Sequence, residues 1–238
     1  MRKSYNLIHE DQDIIVLDKS GHVLTIEDRF DPTRKNLKSM MVNRFGEIYV
    51  VHRLDFETSG VIIFARNPEA HKSLQEQFSN RTVTKIYHAL TRTPSEEKGS
   101  IDDNIGESKS ERGTYKVDKE GKRALTRYEV IENLGRYSLL ELQIFTGRTH
   151  QIRVHLKSIG APLLTDKKYG QFQEFYLSQI KKIRINRDQE ERPLLQRSSL
   201  HAYQLTFVHP QTKKEVTFQS DYHKDMRATL FQLRKLIN

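Results

Sequence analysis

A reactive carboxylate has to be held still, and one stretch of this chain reads as a holder. Val51-His-Arg-Leu-Asp-Phe-Glu-Thr-Ser-Gly60 carries Asp55 between two short apolar runs, Glu47–Val51 and Val61–Ala65. Both runs are rich in β-branched and aromatic residues, so each reads as a buried strand. Ser59-Gly60 is a turn signal at the end of the polar link. Asp55 therefore stands on a short loop braced on both sides, which fixes a reactive group better than a free loop does. An ionised carboxylate placed this way can act as a nucleophile. Spacing alone leaves a second reading open, in which Asp55 only closes the turn through its own backbone.

Two other stretches carry side chains fit for chemistry. Thr84–Leu90 alternates as a half-buried strand, with Ile86, His88 and Leu90 on one side and Tyr87 and Ala89 on the other. A strand tyrosine by itself reads as core or rim packing. Thr146–Leu156 reads as a strand end, a glycine turn and a helix start. Ile152, Leu156 and Ile159 form its apolar stripe, Gly160 can stop it, and His150, Arg153 and Lys157 lie on a neighbouring face. A helix start offers unpaired N–H groups to anions, so Arg148, Thr149 and His150 suit a phosphate or a carboxylate. An ordinary cationic helix face is the plain alternative.

These stretches together resemble the RluA-type pseudouridine synthases. His52-Arg53-Leu54-Asp55 followed by Thr58-Ser59-Gly60 looks like the family signature. Asp18-Lys19-Ser20-Gly21 is similar to its Lys-x-x-Gly opening, with Ser20 where proline is expected, and Lys85-Ile86-Tyr87 matches its Lys-x-Tyr. Thr146–Leu156 resembles its third motif. Ala161–Asp166, ending at Tyr169-Gly170, continues the pattern with Thr165 where glycine is common, and Ser199–Ala202 through His209-Pro210 matches again. The resemblance runs from about Leu7 to Asp225 and is weakest over Gln171–Arg197.

The resemblance implies an α+β pseudouridine synthase fold, with a mixed, mostly antiparallel sheet flanked by helices and a central cleft. It implies one catalytic domain over residues 1–238, without the S4-type N-terminal RNA-binding module of some relatives. The reaction detaches uracil from its ribose and rejoins it through carbon 5. No atom is gained or lost, so no cofactor is expected. Asp55 would be the nucleophile, Tyr87 would stack on the uracil or move a proton, and Arg153, with Arg148 next, would answer the charge of Asp55. His52, Arg53, Thr58, Arg148, His150 and Gln151 fall on the substrate side. Arg53 would fill the gap left by a flipped-out uridine or grip the backbone. The implied partner is ribosomal or transfer RNA.

Composition bounds these readings from outside. Forty Lys and Arg against thirty-one Asp and Glu give a net charge of +9, which suits a polyanionic partner. With no cysteine there is no thiolate nucleophile, no disulfide framework and no Cys-type zinc site. The ten histidines form no HExxH pair, and neither a phosphate loop nor a dinucleotide turn occurs, so no metal is expected. No run approaches a membrane span and Met1–Asn6 has no apolar signal core, so a cytoplasmic location is expected. A glycoside hydrolase using Asp55 and Glu57 is disfavoured, because the two lie two residues apart on one loop and the excess of positive charge would go unexplained. A non-catalytic RNA-binding protein is disfavoured by the joint presence of Asp55, Tyr87 and Arg153.

The elements that must position these groups can be read in outline. Leu7–Ile26 reads as a small β unit, and Glu27–Arg44 as a basic loop with a short helix. Asn67-Pro68 starts a helix by cap-then-proline logic, with Leu74 and Phe78 on one face and Asn80 at its end. Glu96–Gly121 reads as a loop whose Lys109, Arg112, Lys116, Lys119, Lys122 and Arg123 are candidates for RNA contact. Ala124–Ile131 and Tyr137–Phe145 read as a hairpin. Gln171–Arg197, with Lys181, Lys182, Arg184 and Arg187, reads as charged and partly helical. Val216–Phe218 is a strand, and Met226, Leu230, Leu233 and Ile237 mark one face of a closing helix. No apolar helix face is left over, so a monomer is expected.

Overall fold

The computed structural model describes residues 3–182 and 190–237. Arg184 and Arg187, expected in a charged segment, lie outside the described residues. In chain order the elements are β1 (Tyr5–Glu10), β2 (Ile14–Lys19), α1 (Leu37–Phe45), β3 (Tyr49–Val50), β4 (Ser59–Ala65), α2 (Pro68–Ser79) and β5 (Thr84–Arg92). They continue with β6 (Lys98–Ile101), β7 (Ile105–Glu107), β8 (Tyr115–Val117), β9 (Thr126–Leu134), β10 (Tyr137–Ile144) and α3 (Gln151–Ser158). After a single 3-10 turn at Leu177–Gln179 come β11 (Leu200–Val208), β12 (Glu215–Gln219) and α4 (Lys224–Arg234).

Local chemistry explains most of these boundaries. Asn36 and Asn67 cap α1 and α2 by accepting from the N–H groups of Ser39 and Ala70 at 2.9 and 2.8 Å, and Pro68 fills the first position of α2. Gly160, at φ +73°, lies just past the end of α3. The closing helix differs from expectation at its end. It stops at Arg234, so Ile237 falls outside the buried face formed by Met226, Thr229, Leu230 and Leu233. Glu96–Gly121 also differs. Instead of a loop it contains β6, which pairs with β9, and an antiparallel ribbon of β7 and β8. These strands are three or four residues long, too short to show a period, and tertiary pairing alone fixes them.

The chain divides into two compact units, each discontinuous in sequence, so no single linker corresponds to the division. One unit comprises Met1–Tyr87 and His201–Asp221; the other comprises His88–Leu200 and Tyr222–Asn238. The first unit orders its strands β1-β2-β4-β11, with β3 also on β4 and β12 on β11. All of these pairs are antiparallel except β4 with β11, where Ser59 faces His201 and Gly60 faces Ala202 in parallel register. Ala70 and Leu74 of α2 cover this sheet, packing with Ile14, Val16, Val61, Ile63, Leu205 and Phe207. In the second unit β6, β9 and β10 run antiparallel, and α4 packs Met226, Leu230 and Leu233 against Leu139, Leu164 and Phe175. The architecture is α+β with a mixed, mostly antiparallel sheet. Among the described residues no helix is long and apolar enough to cross a membrane.

Candidate active site

The expected site residues fall into two sets, one in each unit. In the first unit, Asp55 stands on the link between β3 and β4, which pair through Tyr49–Ala65 and Val50–Phe64. The link is tied down at several points. Thr58 donates its N–H to the main-chain carbonyl of Asp55 at 3.1 Å and closes a turn, and the Thr58 side chain is buried. Leu54 exchanges hydrogen bonds with the buried Thr25 hydroxyl, its N–H donating at 3.3 Å and its carbonyl accepting at 3.1 Å. Lys19, wholly buried at the end of β2, donates to the carbonyls of Ser20, Val23 and Phe56 at 3.0, 2.8 and 3.3 Å. An ammonium has three N–H donors, and these three carbonyls match that number.

The far end of the link is pinned by close packing. Gly60 has φ +112°, and a Cβ there would lie 2.1 Å from the carbonyl oxygen of Ala202. Only glycine lets β4 approach β11 so closely. Beside it, the buried Ser59 hydroxyl lies 2.8 Å from Nδ1 of His201, whose Nε2 lies 2.9 Å from the Ser220 carbonyl. His52 has a similar internal duty. Its Nε2 accepts from the Ile63 N–H at 3.2 Å, and its ring stacks on Phe78 with centroids 4.8 Å apart. Burial, then the Lys85 charge, lowers this imidazole to about 3, so it is neutral near pH 7. Arg53 is exposed next to it.

Tyr87 is buried in β5 of the same unit as Asp55. The strand was expected to be half-buried, but every residue from Tyr87 to Thr91 is buried, so the alternation in the sequence does not mark a solvent face. Burial first, and then the charge of Asp55, push the Tyr87 phenol well above its ordinary range. This phenol stays protonated near pH 7.

The second unit holds the other set, around the start of α3. Gln151 is buried, and its amide is fully engaged. Its oxygen accepts from the Thr146 hydroxyl at 2.6 Å and the Arg148 N–H at 3.1 Å. Its nitrogen donates to the Leu125 carbonyl and the Thr126 hydroxyl, both at 3.0 Å. Two acceptor positions and two donors are all taken by protein, so Gln151 fastens the motif to β9. Arg148 donates from Nε to the Arg123 carbonyl at 3.0 Å. His150 adopts a left-handed conformation, with φ 57°, at the N-cap of α3, and its Nδ1 lies 2.8 Å from the Tyr169 hydroxyl.

Arg153 has a carboxylate of its own within this unit. Its Nε and Nη2 meet Oδ2 and Oδ1 of Asp166 at 2.5 and 2.8 Å, a bidentate pair with both side chains buried. The guanidinium also lies 4.9 Å from the centre of the Tyr169 ring. Burial works against the charge of Asp166, but Arg153 and the N–H groups of Lys168 and Tyr169 outweigh it and hold the carboxyl below its ordinary range. The helix that carries Arg153 is not amphipathic as the apolar stripe suggested. Gln151 through Leu156 are all buried, and His155 lies 3.0 Å from both the Thr126 hydroxyl and the Asp103 carbonyl.

The residues that place these groups match a known family model. Residues 13–158, which span both sets, match the model for RNA pseudouridylate synthase. The chain belongs to this family.

Its relatives agree. An uncharacterized RNA pseudouridine synthase of Chlorobaculum parvum is 35% identical over 97% of this chain and 75% of its own length. The ribosomal large subunit pseudouridine synthase D of Borreliella burgdorferi is 34% identical over 94% of this chain and 70% of its own. Among solved structures, human RNA pseudouridylate synthase domain containing 1 superimposes with a TM-score of 0.68 at 29% identity, covering 92% of this chain and 83% of that one. The protein is thus an RNA pseudouridine synthase, an isomerase that works on uridine in RNA.

Within this family member, three positioning residues went unassigned in the sequence. Lys19 sits in the Lys-x-x-Gly stretch, but nothing in its spacing shows that its ammonium crosses to Phe56. Thr25 carries no signal at all. Asp166 and Tyr169 stand three apart in a motif continuation, and only the fold reveals them as the seat of Arg153.

Proposed function

We propose that Asp55 is the nucleophile of the isomerisation and that the substrate is ribosomal RNA. Attack by the carboxylate, on the ribose or on the uracil ring, allows the bond between N1 and C1′ to break. The base turns and C5 bonds to C1′. The proton on C5 is then lost, N1 gains one, and Asp55 leaves unchanged. The observation that carries this reading is the pairing of a firmly braced Asp55 loop with the buried Tyr87, whose phenol responds to the Asp55 charge. A phenol that stays protonated is a poor base at neutral pH but a ready hydrogen-bond donor and a flat apolar surface for uracil.

Arg153 enters by the motif that carries it. With its planar fork fixed by Asp166, it is a preorganised cation, and preorganised charge costs no reorientation during reaction. His52, Thr58 and Gln151 serve by holding their motifs in place, while the exposed Arg53 is the candidate to meet the RNA directly. Ribosomal RNA as substrate is supported by the relatives named for the large ribosomal subunit, such as that of Borreliella burgdorferi.

The test is release of tritium from ribosomal RNA carrying 5-tritiated uridine, transcribed without modification. Asp55→Asn is isosteric and should abolish release, by roughly 10³-fold or more, with the melting temperature nearly unchanged. Retained release from a folded variant removes Asp55 from this role. If wild-type protein releases tritium only from transfer RNA, the substrate assignment is wrong.

A further inference from the structure

We propose that the groove between the β7–β8 ribbon and the C-terminal half of α3 binds a single-stranded nucleotide of the substrate RNA, outside the target uridine. The inference rests on the reading above that the enzyme acts on ribosomal RNA, and it names a second place where that RNA is held. The groove has a volume of about 410 Å³, within the range of ligand sites. Val154 and Tyr169 form its floor, with Tyr115 and Lys116 on the ribbon side and Lys157 and Lys168 opposite.

Its chemistry is that of a nucleotide holder. Three ammonium groups line it, and Glu111 is the one carboxylate among the lining residues. Lys116 stands 4.0 Å from Asp118, which leaves it in a loose, exposed pair. Lys157 lies 5.8 Å from the Tyr169 ring centre, and Lys168 donates to the Gly113 carbonyl at 2.7 Å, tying the ribbon tip to the floor. Tyr115 is half-buried, and its N–H donates to the Tyr169 hydroxyl at 2.7 Å. Positive charge beside an aromatic face is how proteins hold single-stranded nucleic acid: ammonium groups track phosphates and a ring stacks on a base.

The groove is also joined to the catalytic motif. The Tyr169 hydroxyl that receives the ribbon's N–H also bonds His150, and the Tyr169 ring lies against Arg153. A nucleotide held here would be in register with the α3 motif. The ribbon is the stretch in which sequence showed only charge, and its fold turns scattered lysines into one site.

The experiment measures affinity of the full chain for unmodified ribosomal RNA fragments across a salt series, with tritium release alongside. The double variant Lys116→Gln/Lys157→Gln should bind about tenfold more weakly, and its slope of log affinity against log salt should fall by about 2, one for each lost phosphate contact. The double variant Lys72→Gln/Lys213→Gln removes the same charge from exposed lysines of the other unit and should leave the slope within about half a unit of wild type. Tyr115→Ala should weaken binding several-fold, Tyr115→Phe should restore it, and ultraviolet cross-linking should label the Tyr115 peptide. Equal effects from both lysine pairs, or no effect from either while wild type remains active, overturns the groove. Wild type that releases no tritium from any ribosomal RNA overturns the parent reading and the groove with it.

Discussion

At the scale of single residues, Arg153 and Asp166 show how a cation becomes a fixed tool. A guanidinium on a surface helix samples many rotamers, whereas this one is buried, forked onto a carboxylate and laid on a tyrosine. The arrangement depends on both members. Asp166→Asn leaves a buried cation without its counter-charge, and breaking such pairs costs about 3–5 kcal/mol. The variant should melt well below wild type, and its remaining folded fraction should turn over slowly because Arg153 has lost its alignment. Calorimetry and tritium release at a temperature below the variant's transition check both points. A variant as stable as wild type would show that water or a neighbour replaces Asp166.

At the scale of elements, the Asp55 loop is positioned from outside its own sequence. Thr25, Lys19 and the β4–β11 contact at Gly60 each reach it from elsewhere in the first unit. Lys19→Met keeps the length of the side chain and removes its three donors, leaving the carbonyls of Ser20, Val23 and Phe56 without their partner. The loop should shift, and a shift of about 1 Å at a reacting group costs about 10²-fold in rate. Single-turnover tritium release should therefore fall by about that factor, while affinity for RNA stays nearly constant. A parallel loss of affinity would mean that Lys19 holds up more of the unit than this loop.

At the scale of the molecule, buried histidines tie stability to pH. Burial lowers His52 to about 3, and it also lowers His88 and His155, although the neighbouring Glu141 and Asp103 oppose the shift at those two. An imidazole with a folded pKa below its unfolded one takes up its proton first in the unfolded chain, so acid favours unfolding. Stability is full above about pH 6.5, the ordinary histidine value. It should fall steadily as pH drops from there toward 3. His52→Gln retains an acceptor for the Ile63 N–H but cannot titrate, so a plot of melting temperature against pH should be flatter for it than for wild type. An equal slope would assign the acid loss to other groups. Asp11 adds to the loss at lower pH. Burial raises it, but hydrogen bonds from His9, the Ile14 and Asp13 amides and His209 bring its carboxyl to about 2, so its contribution disappears as pH falls from about 4 toward that value.

Sequence by itself determined what local chemistry controls. The cap at Asn67, the proline of α2, the hydrophobic runs of β2 and β4 and the motif surrounding Asp55 need only near neighbours to be read, and they led to the family and its reaction. It also marked Tyr87 and Arg153 as residues of interest. The tertiary structure decided everything that depends on distant partners. Gln151 is a fastener because Leu125 and Thr126 meet it, His52 is neutral because Ile63 and Phe78 enclose it, and Arg153 is fixed because Asp166 lies opposite. The strands of the β7–β8 ribbon exist through pairing, not propensity. A hydrogen bond between residues far apart in sequence leaves no periodic trace in either, so only the folded chain discloses it.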